Sequence, residues 1–424
     1  MIERTLAPGV TLRLLRTSKF KTSMLAVTFL EPLREETAAL NALLPKVLRR
    51  GTRQYPDLEA ISAGLDELYG MSLEPIVRKK GEVQCLGFWA SVLDDVFVPG
   101  QSSILEEAAS MLGEMVLHPA GEGDAFLPEY VDSEKANLID KIRGEINDKL
   151  QYALSRLRSQ MCQGEAYGVN RYGSEESAQT ITGEALYQRY RTLLETAPMY
   201  LYYCGSAEPE RVEQAFRAAF AELPQTPRQP MPQTLALAKP QGDLRRFSDR
   251  LDVTQGKLIL GFRLGGSVRE LEATAPVMVL HALYGGSTNA KLFLNVRERL
   301  SLCYFASAAL GLSKGIMTVY SGVKFEDFQK AEEEILAQLE ACRQGEITQE
   351  ELESARRTVA GSLRTTLDSQ GKLEEYWLNR FVTGTTYTPE ELAQAAEAVT
   401  LQQVVASAQS IQLDSIYTLR GEED

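Results

Sequence analysis

Arg297 and Tyr304 carry side chains that could do chemistry, and they stand seven positions apart at the end of a helical pattern and the turn after it. A guanidinium can bind a peptide carbonyl or carboxylate through paired N–H donors, and a phenol can donate to a developing oxyanion. Taken alone, such a pair is usually a solvated charge and a half-buried ring. Other chemistry finds little support. The chain has two histidines, His118 and His281, far apart in sequence. A metal centre built on two neighbouring histidines therefore cannot be assembled. Cys85, Cys162, Cys204, Cys303 and Cys342 make an odd set with no C-x-x-C spacing, which reads as scattered buried thiols in a reducing compartment. There is no G-x-x-x-x-G-K-[ST] phosphate loop, no G-x-G-x-x-G after a strand and no G-x-S-x-G elbow. Two lone histidines leave little room for a Ser-His or Cys-His pair.

The bulk properties narrow the class further. Forty-five basic against 58 acidic residues give a net charge of −13, which argues against a nucleic-acid partner because phosphate neutralisation needs clustered Lys and Arg in excess. Apolar residues at 44% suffice for ordinary globular cores. No apolar run approaches the roughly 18 residues of a membrane span, and the N-terminal Met1-Ile2-Glu3-Arg4 has no apolar stretch behind its charges. A cytoplasmic protein with no membrane contact is expected.

The elements that must position Arg297 and Tyr304 are organised as a repeat. Five of 17 prolines (Pro224, Pro227, Pro230, Pro232 and Pro240) fall together. Proline stops helices and interior strands, so 224–240 is expected to be an extended linker between domains 1–223 and 241–424. In the first half, the strand-like run Met24–Leu30 precedes a helical face of Leu40, Leu43, Leu44, Val47 and Leu48 and then Gly51-Thr52. In the second, Leu258–Leu264 precedes Val277, Leu280, His281 and Tyr284 and then Gly286-Ser287. Thr182 and Thr400 each open a helix that leads to a strand and a glycine. Long helices are expected near 129–163 and 348–370, with capping boxes at Thr348/Glu351 and Thr388/Glu391. The fold class is α+β, two α+β units in tandem.

Strand, helix, Gly-Thr, helix and strand, repeated after a proline-rich linker, resemble the pitrilysin or insulinase family of zinc peptidases. The likeness covers essentially the whole chain, in the two-unit form of the mitochondrial processing peptidase. The resemblance implies two homologous mixed α/β sandwich domains of the pitrilysin/LuxS-like metallohydrolase type. It also implies an inverted zinc motif, H-x-x-E-H, shortly before the Gly-Thr. Anchored on Gly51-Thr52, the two histidine positions hold Ala42 and Lys46, the general-base position holds Pro45, and the third ligand position on the later helix holds Lys141. Alanine and proline offer no donor and a protonated lysine repels the ion, so no metal and no cofactor are expected. Pro45 lacks the N–H that would bond to the Asn41 carbonyl, which predicts a kink there. In the second half, Leu292-Phe293-Leu294-Asn295-Val296-Arg297-Glu298-Arg299-Leu300-Ser301-Leu302-Cys303-Tyr304 resembles the family's L-F-x-x-x-R-E-x-x-G-L-x-Y, with Ser301 where the family has glycine.

The resemblance implies a non-catalytic, zinc-less subunit. Arg297 and Tyr304 would be its substrate-binding residues, lent with a chamber wall to a homologous chain that carries the H-x-x-E-H site, with a peptide as substrate. The length and degenerate motif also resemble inactive bacterial homologues associated with 5-aminopentanol modification of elongation factor P. The competing readings are a structural or assembly protein and a peptide-binding homodimer without peptidase activity. His118 is expected at a helix end, His281 as a satisfied core residue, and Trp89 and Trp377 as packing residues. Lys46 and Lys141 are candidates to place positive charge where the family holds zinc, paired with Asp or Glu nearby.

Overall fold

The structure is a computed structural model that describes residues 1–100 and 103–422. The chain forms two compact units. The first comprises Met1–Gly144 and Val169–Gln233; the second comprises Glu145–Gly168 and the chain from Thr234 onward.

The first unit is built on a six-stranded sheet. Its strands are β1 (Ile2–Ala7), β2 (Val10–Arg16), β3 (Thr22–Pro32), β4 (Ser72–Lys80), β5 (Val83–Leu93) and, after the small hairpin β6 (Gly121–Glu122) and β7 (Ala125–Phe126), β8 (Met199–Gly205). They lie in the order β1-β2-β8-β3-β5-β4. The second unit has β9 (Arg245–Arg250), β10 (Gly256–Arg263), β11 (Cys303–Gly311), β12 (Ile316–Val323) and β13 (Gln412–Arg420), in the order β11-β12-β10-β13-β9. β3 is antiparallel to β5 and β8, and β8 is parallel to β2. β10 is antiparallel to β12 and β13, and β13 is parallel to β9. Read from β2 and from β9, the two sheets have one topology. The two runs Met24–Leu30 and Leu258–Leu264 therefore sit in equivalent central strands, as the repeat requires. The proline-rich residues 224–240 form neither helix nor strand.

Both central strands are continuous apolar runs because both of their faces are covered. Nine successive residues of β3, Ser23–Glu31, are buried. In the second unit, one face of the sheet packs with Leu258, Leu260 and Phe262 into a helical layer that includes Val279, Leu280, Ile335 and Val359. The opposite face buries Ile259, Tyr417 and Leu419 against Ala153 and Leu157. Those last two residues belong to the helix Lys149–Met161, inside the stretch expected in the first domain. The single long helix expected near 129–163 is in fact two, Pro128–Gly144 and Lys149–Met161, joined by one tight turn. Gly144 is a poor helix former, and the Asp148 carboxylate caps the new helix by accepting from the N–H groups of Leu150 and Gln151 at 3.1 Å each. The chain crosses from one unit to the other at this break. The capping boxes at Thr348/Glu351 and Thr388/Glu391 are both formed. Pro45 lies within the helix Glu35–Leu48 without ending it, and the Arg49 N–H bonds to its carbonyl at 3.1 Å. Among the described residues, no helix is long and apolar enough to cross a membrane.

Candidate functional site

The helix Glu35–Leu48 buries Ala38, Ala42, Leu43 and Pro45 on the core side, which leaves Lys46 half-buried at its edge. Lys141 comes from the last turn of the helix Pro128–Gly144 and is exposed. Folding brings these two lysines together. Burial and the like charge of Lys141 hold the Lys46 ammonium below its ordinary pKa, opposed by Glu134 and Tyr172. Glu134 does not neutralise it, because its carboxylate accepts from Arg50 at 3.1 Å. Among the described residues, neither Lys46 nor Lys141 has a carboxylate partner within 4.0 Å, so the expected pairing with a nearby Asp or Glu is not formed.

Two residues that sequence spacing could not point to complete this cluster. The Lys141 Nζ lies 4.6 Å from the centre of the Tyr172 ring, and the Arg171 guanidinium lies 4.8 Å from it. Burial would raise the Tyr172 phenol, but Arg171 and Lys141 together carry it below its usual value. The loop is fixed from below. The Gln84 side chain, fully buried on β5, donates to the Arg171 carbonyl at 2.7 Å and the Ala38 carbonyl at 3.0 Å. Its own carbonyl accepts from Asn41 at 2.8 Å, Asn41 in turn accepts from Arg189 at 2.7 Å, and Arg189 pairs with Glu31 at 2.5 Å. Lys79 donates to the Val169 carbonyl at 2.8 Å. Among the described residues, no group of three or more His, Cys, Asp or Glu is gathered closely enough to hold a metal ion. The chemistry on offer at this place is cationic.

The second site lies in the other unit. Leu292–Arg299 winds as a wide π-type turn, with the Leu300 N–H bonding to the Asn295 carbonyl at 3.1 Å. Ser301 ends it in the left-handed region, at φ 52°. The position where glycine is expected thus keeps the glycine-like backbone, at a steric cost to serine. The turn feeds β11, an edge strand, through a bulge: Cys303 pairs with Val323 and Phe305 with Gly322, leaving Tyr304 as the inserted residue. Tyr304 is consequently 64% exposed. The Arg297 side chain is 40% exposed, stacks over Phe293 at 4.6 Å and has Glu298 at 3.5 Å. No hydrogen bond joins Arg297 to Tyr304 among the described residues.

The remaining candidates take ordinary structural places. His118 caps the end of the helix Ile104–Leu117, 3.6 Å from Glu222. His281 is half-buried, its ring Nε2 2.8 Å from the Ala308 carbonyl, and burial lowers its pKa. Trp377 is buried, Trp89 is half-buried on β5, and all five cysteines are free and buried.

The chain is similar to known proteins in sequence and in fold. The family model described as "Peptidase M16 inactive domain" matches residues 180–359. The chain is 31% identical over 420 residues to "Probable inactive metalloprotease YmfF" of Bacillus subtilis, covering 98% of this chain and 96% of the relative. It is 28% identical over 178 residues to "Uncharacterized zinc protease YmxG" of the same organism, covering 41% and 43%. The crystal structure of a conserved protein from Enterococcus faecalis superposes with a TM-score of 0.91 at 27% identity, covering 100% of this chain and 99% of that one. By these likenesses the chain belongs to the pitrilysin-type (M16) peptidase family, and over nearly its whole length it is similar to a member described as inactive.

Proposed function

We propose that this chain is the zinc-less subunit of a two-chain peptidase. A homologous chain bearing H-x-x-E-H supplies the metal, and this one supplies Arg297, Tyr304 and chamber wall around a peptide substrate. The observation that carries the reading is the contrast between the two candidate sites. Where the resemblance would put the metal stand Ala42, Pro45, Lys46 and Lys141, none of them a zinc ligand, whereas the Arg297–Tyr304 segment keeps its left-handed turn at Ser301 and a bulge that pushes Tyr304 into solvent. A left-handed serine three residues before a tyrosine 64% exposed is a local cost of the kind that functional segments carry. Arg297 would grip a peptide carbonyl or carboxylate, and Tyr304 would donate to the oxyanion formed when water attacks. The occurrence of a zinc-protease relative alongside an inactive relative in one organism is what such pairing needs.

The test is co-expression with a zinc-bearing homologue from the same genome. A heterodimer that cleaves peptides is expected, while each chain alone does not. Tyr304→Phe and Arg297→Ala should each lower kcat/KM by roughly 100-fold or more, the usual cost of losing an oxyanion donor, with the dimer intact. Full activity in both variants would instead favour a structural or peptide-binding role for this chain.

A further inference from the structure

The cationic cluster of the first unit has an excess of charge that the fold itself leaves unanswered. Lys141, from the helix Pro128–Gly144, and Arg171, from the loop after Val169, lie over the Tyr172 ring, and Lys46, from the helix Glu35–Leu48, is near enough to feel the charge of Lys141 and Tyr172. Among the described residues none of the three forms an ion pair within 4.0 Å. The carboxylate that acts on Lys46, Glu134, is already taken by Arg50 and Asn137, at 3.1 and 3.2 Å. Like charges held together cost free energy, and exposed side chains normally swing apart to avoid it.

Here the swing is resisted. Lys46 is half-buried on a helix whose opposite face is core. Arg171 and Tyr172 sit on a loop clamped at the Val169 carbonyl by Lys79 and at the Arg171 carbonyl by the buried Gln84. Gly173 closes the loop at φ 73°, so near the Ala39 backbone that a Cβ there would come within 2.8 Å of the Ala39 nitrogen. The backbone that carries Arg171 and Tyr172 is thus fixed before any ligand arrives, and the exposed Lys141 and Arg171 side chains rest on the Tyr172 ring, which lowers the ordering cost of binding.

We infer that Lys46, Lys141, Arg171 and Tyr172 form a binding site for an oxyanion, a peptide carboxylate or a free phosphate. The planar fork of Arg171 matches two oxygens of such a group, and the two ammonium groups supply charge and further donors. The Tyr172 hydroxyl can donate as well. The lowered pKa of Lys46 agrees with this, since its charged form is the one an anion would restore. The site goes beyond the pairing proposed above and needs no partner chain.

The experiment uses the full chain alone, in low-salt buffer at neutral pH. Three probes are titrated against thermal unfolding and labelled-peptide anisotropy: inorganic phosphate, a short peptide ending in Asp-Glu with a free C-terminus, and its neutral, amidated Asn-Gln counterpart. Saturable stabilisation by phosphate or by the acidic peptide, and none by the neutral one, is expected; whichever binds more tightly identifies the source of the oxyanion. Lys141→Ala and Lys46→Met should each weaken binding about tenfold, as for loss of one charge-assisted hydrogen bond. Without anion, Lys141→Ala should unfold at the same or a higher temperature than the parent, because repulsion is relieved. A merely structural role for Lys141 predicts the opposite, a lower unfolding temperature and unchanged anion affinity. That outcome, or equal affinity for the acidic and neutral peptides with no response to phosphate, overturns the inference. Neither result bears on whether Arg297 and Tyr304 serve a zinc-bearing partner.

Discussion

Arg263 and Asp414 face one another in the second sheet at 2.9 Å, each with a side chain 1% exposed. The contact depends on a bulge: Gly261 pairs with Ser415 and Phe262 with Leu413, so Asp414 is the inserted residue, and its carboxylate meets Arg263. The pair anchors a larger network. Arg263 also reaches Glu165 at 2.6 Å, Lys314 reaches Glu165 at 2.6 Å and Arg245 reaches Asp414 at 2.8 Å. Glu165 lies in Glu145–Gly168, so the network ties that excursion to the sheet it covers.

Removing one charge from this network leaves the others buried and uncompensated. Asp414→Asn is expected to cost about 3 kcal/mol or more, read from urea midpoints of the full chain. A loss below about 1 kcal/mol would mean that the network contributes little beyond packing. The acid response follows from the same group. Burial alone would raise the Asp414 carboxyl, but hydrogen bonds from Ser415, Arg245 and Arg263 hold it below the usual carboxylate range. A depressed folded pKa gives stability that is fully present above the unfolded value of about 3.9 and is lost as pH falls through the folded one. Parent stability should therefore drop steeply below about pH 4, and Asp414→Asn should flatten that limb.

Ser301 supplies a second test, because its left-handed backbone is a cost that glycine avoids. Ser301→Gly should raise stability by roughly 0.5–1 kcal/mol, the steric relief being partly offset by greater freedom of the unfolded chain. The variant should leave Tyr304 exposed and any role in a peptidase pair unaltered. A fall in stability would show that the Ser301 side chain makes a contact worth more than the strain.

Gly51 follows the helix Glu35–Leu48 and Gly286 the equivalent helix Leu271–Tyr284, each against a different neighbour. A Cβ on Gly51 would come within 2.4 Å of the Pro56 carbonyl oxygen, whereas one on Gly286 would meet the His281 ring at 2.4 Å. Backbone yields less readily than a side chain. Gly51→Ala should cost on the order of 1–3 kcal/mol and more than Gly286→Ala, by thermal unfolding of the two variants side by side. An equal or smaller effect at Gly51 would contradict the close approach.

The repeat and the fold class were legible because each rests on local pattern: apolar spacing and a glycine at the end of the first helix of each half. The break after Gly144 was not, because charged helical spacing runs on through 145–148 while a glycine and one capping aspartate redirect the chain. Tyr172 and Arg171 were equally hidden. Their place beside Lys141 is set by a buried glutamine on β5 that carries no sequence signature. The exposure of Tyr304 comes from a one-residue bulge, which alternation in an edge strand does not announce.

Metal analysis of the purified protein decides whether this chain lacks a catalytic metal of its own and serves a chain that has one. The chain is loaded with excess zinc, desalted and measured for bound zinc together with peptidase activity. Far less than one zinc per chain is expected, and no cleavage until a zinc-bearing homologue is added. One tightly held zinc per chain, with peptide cleavage by this chain alone, would contradict it.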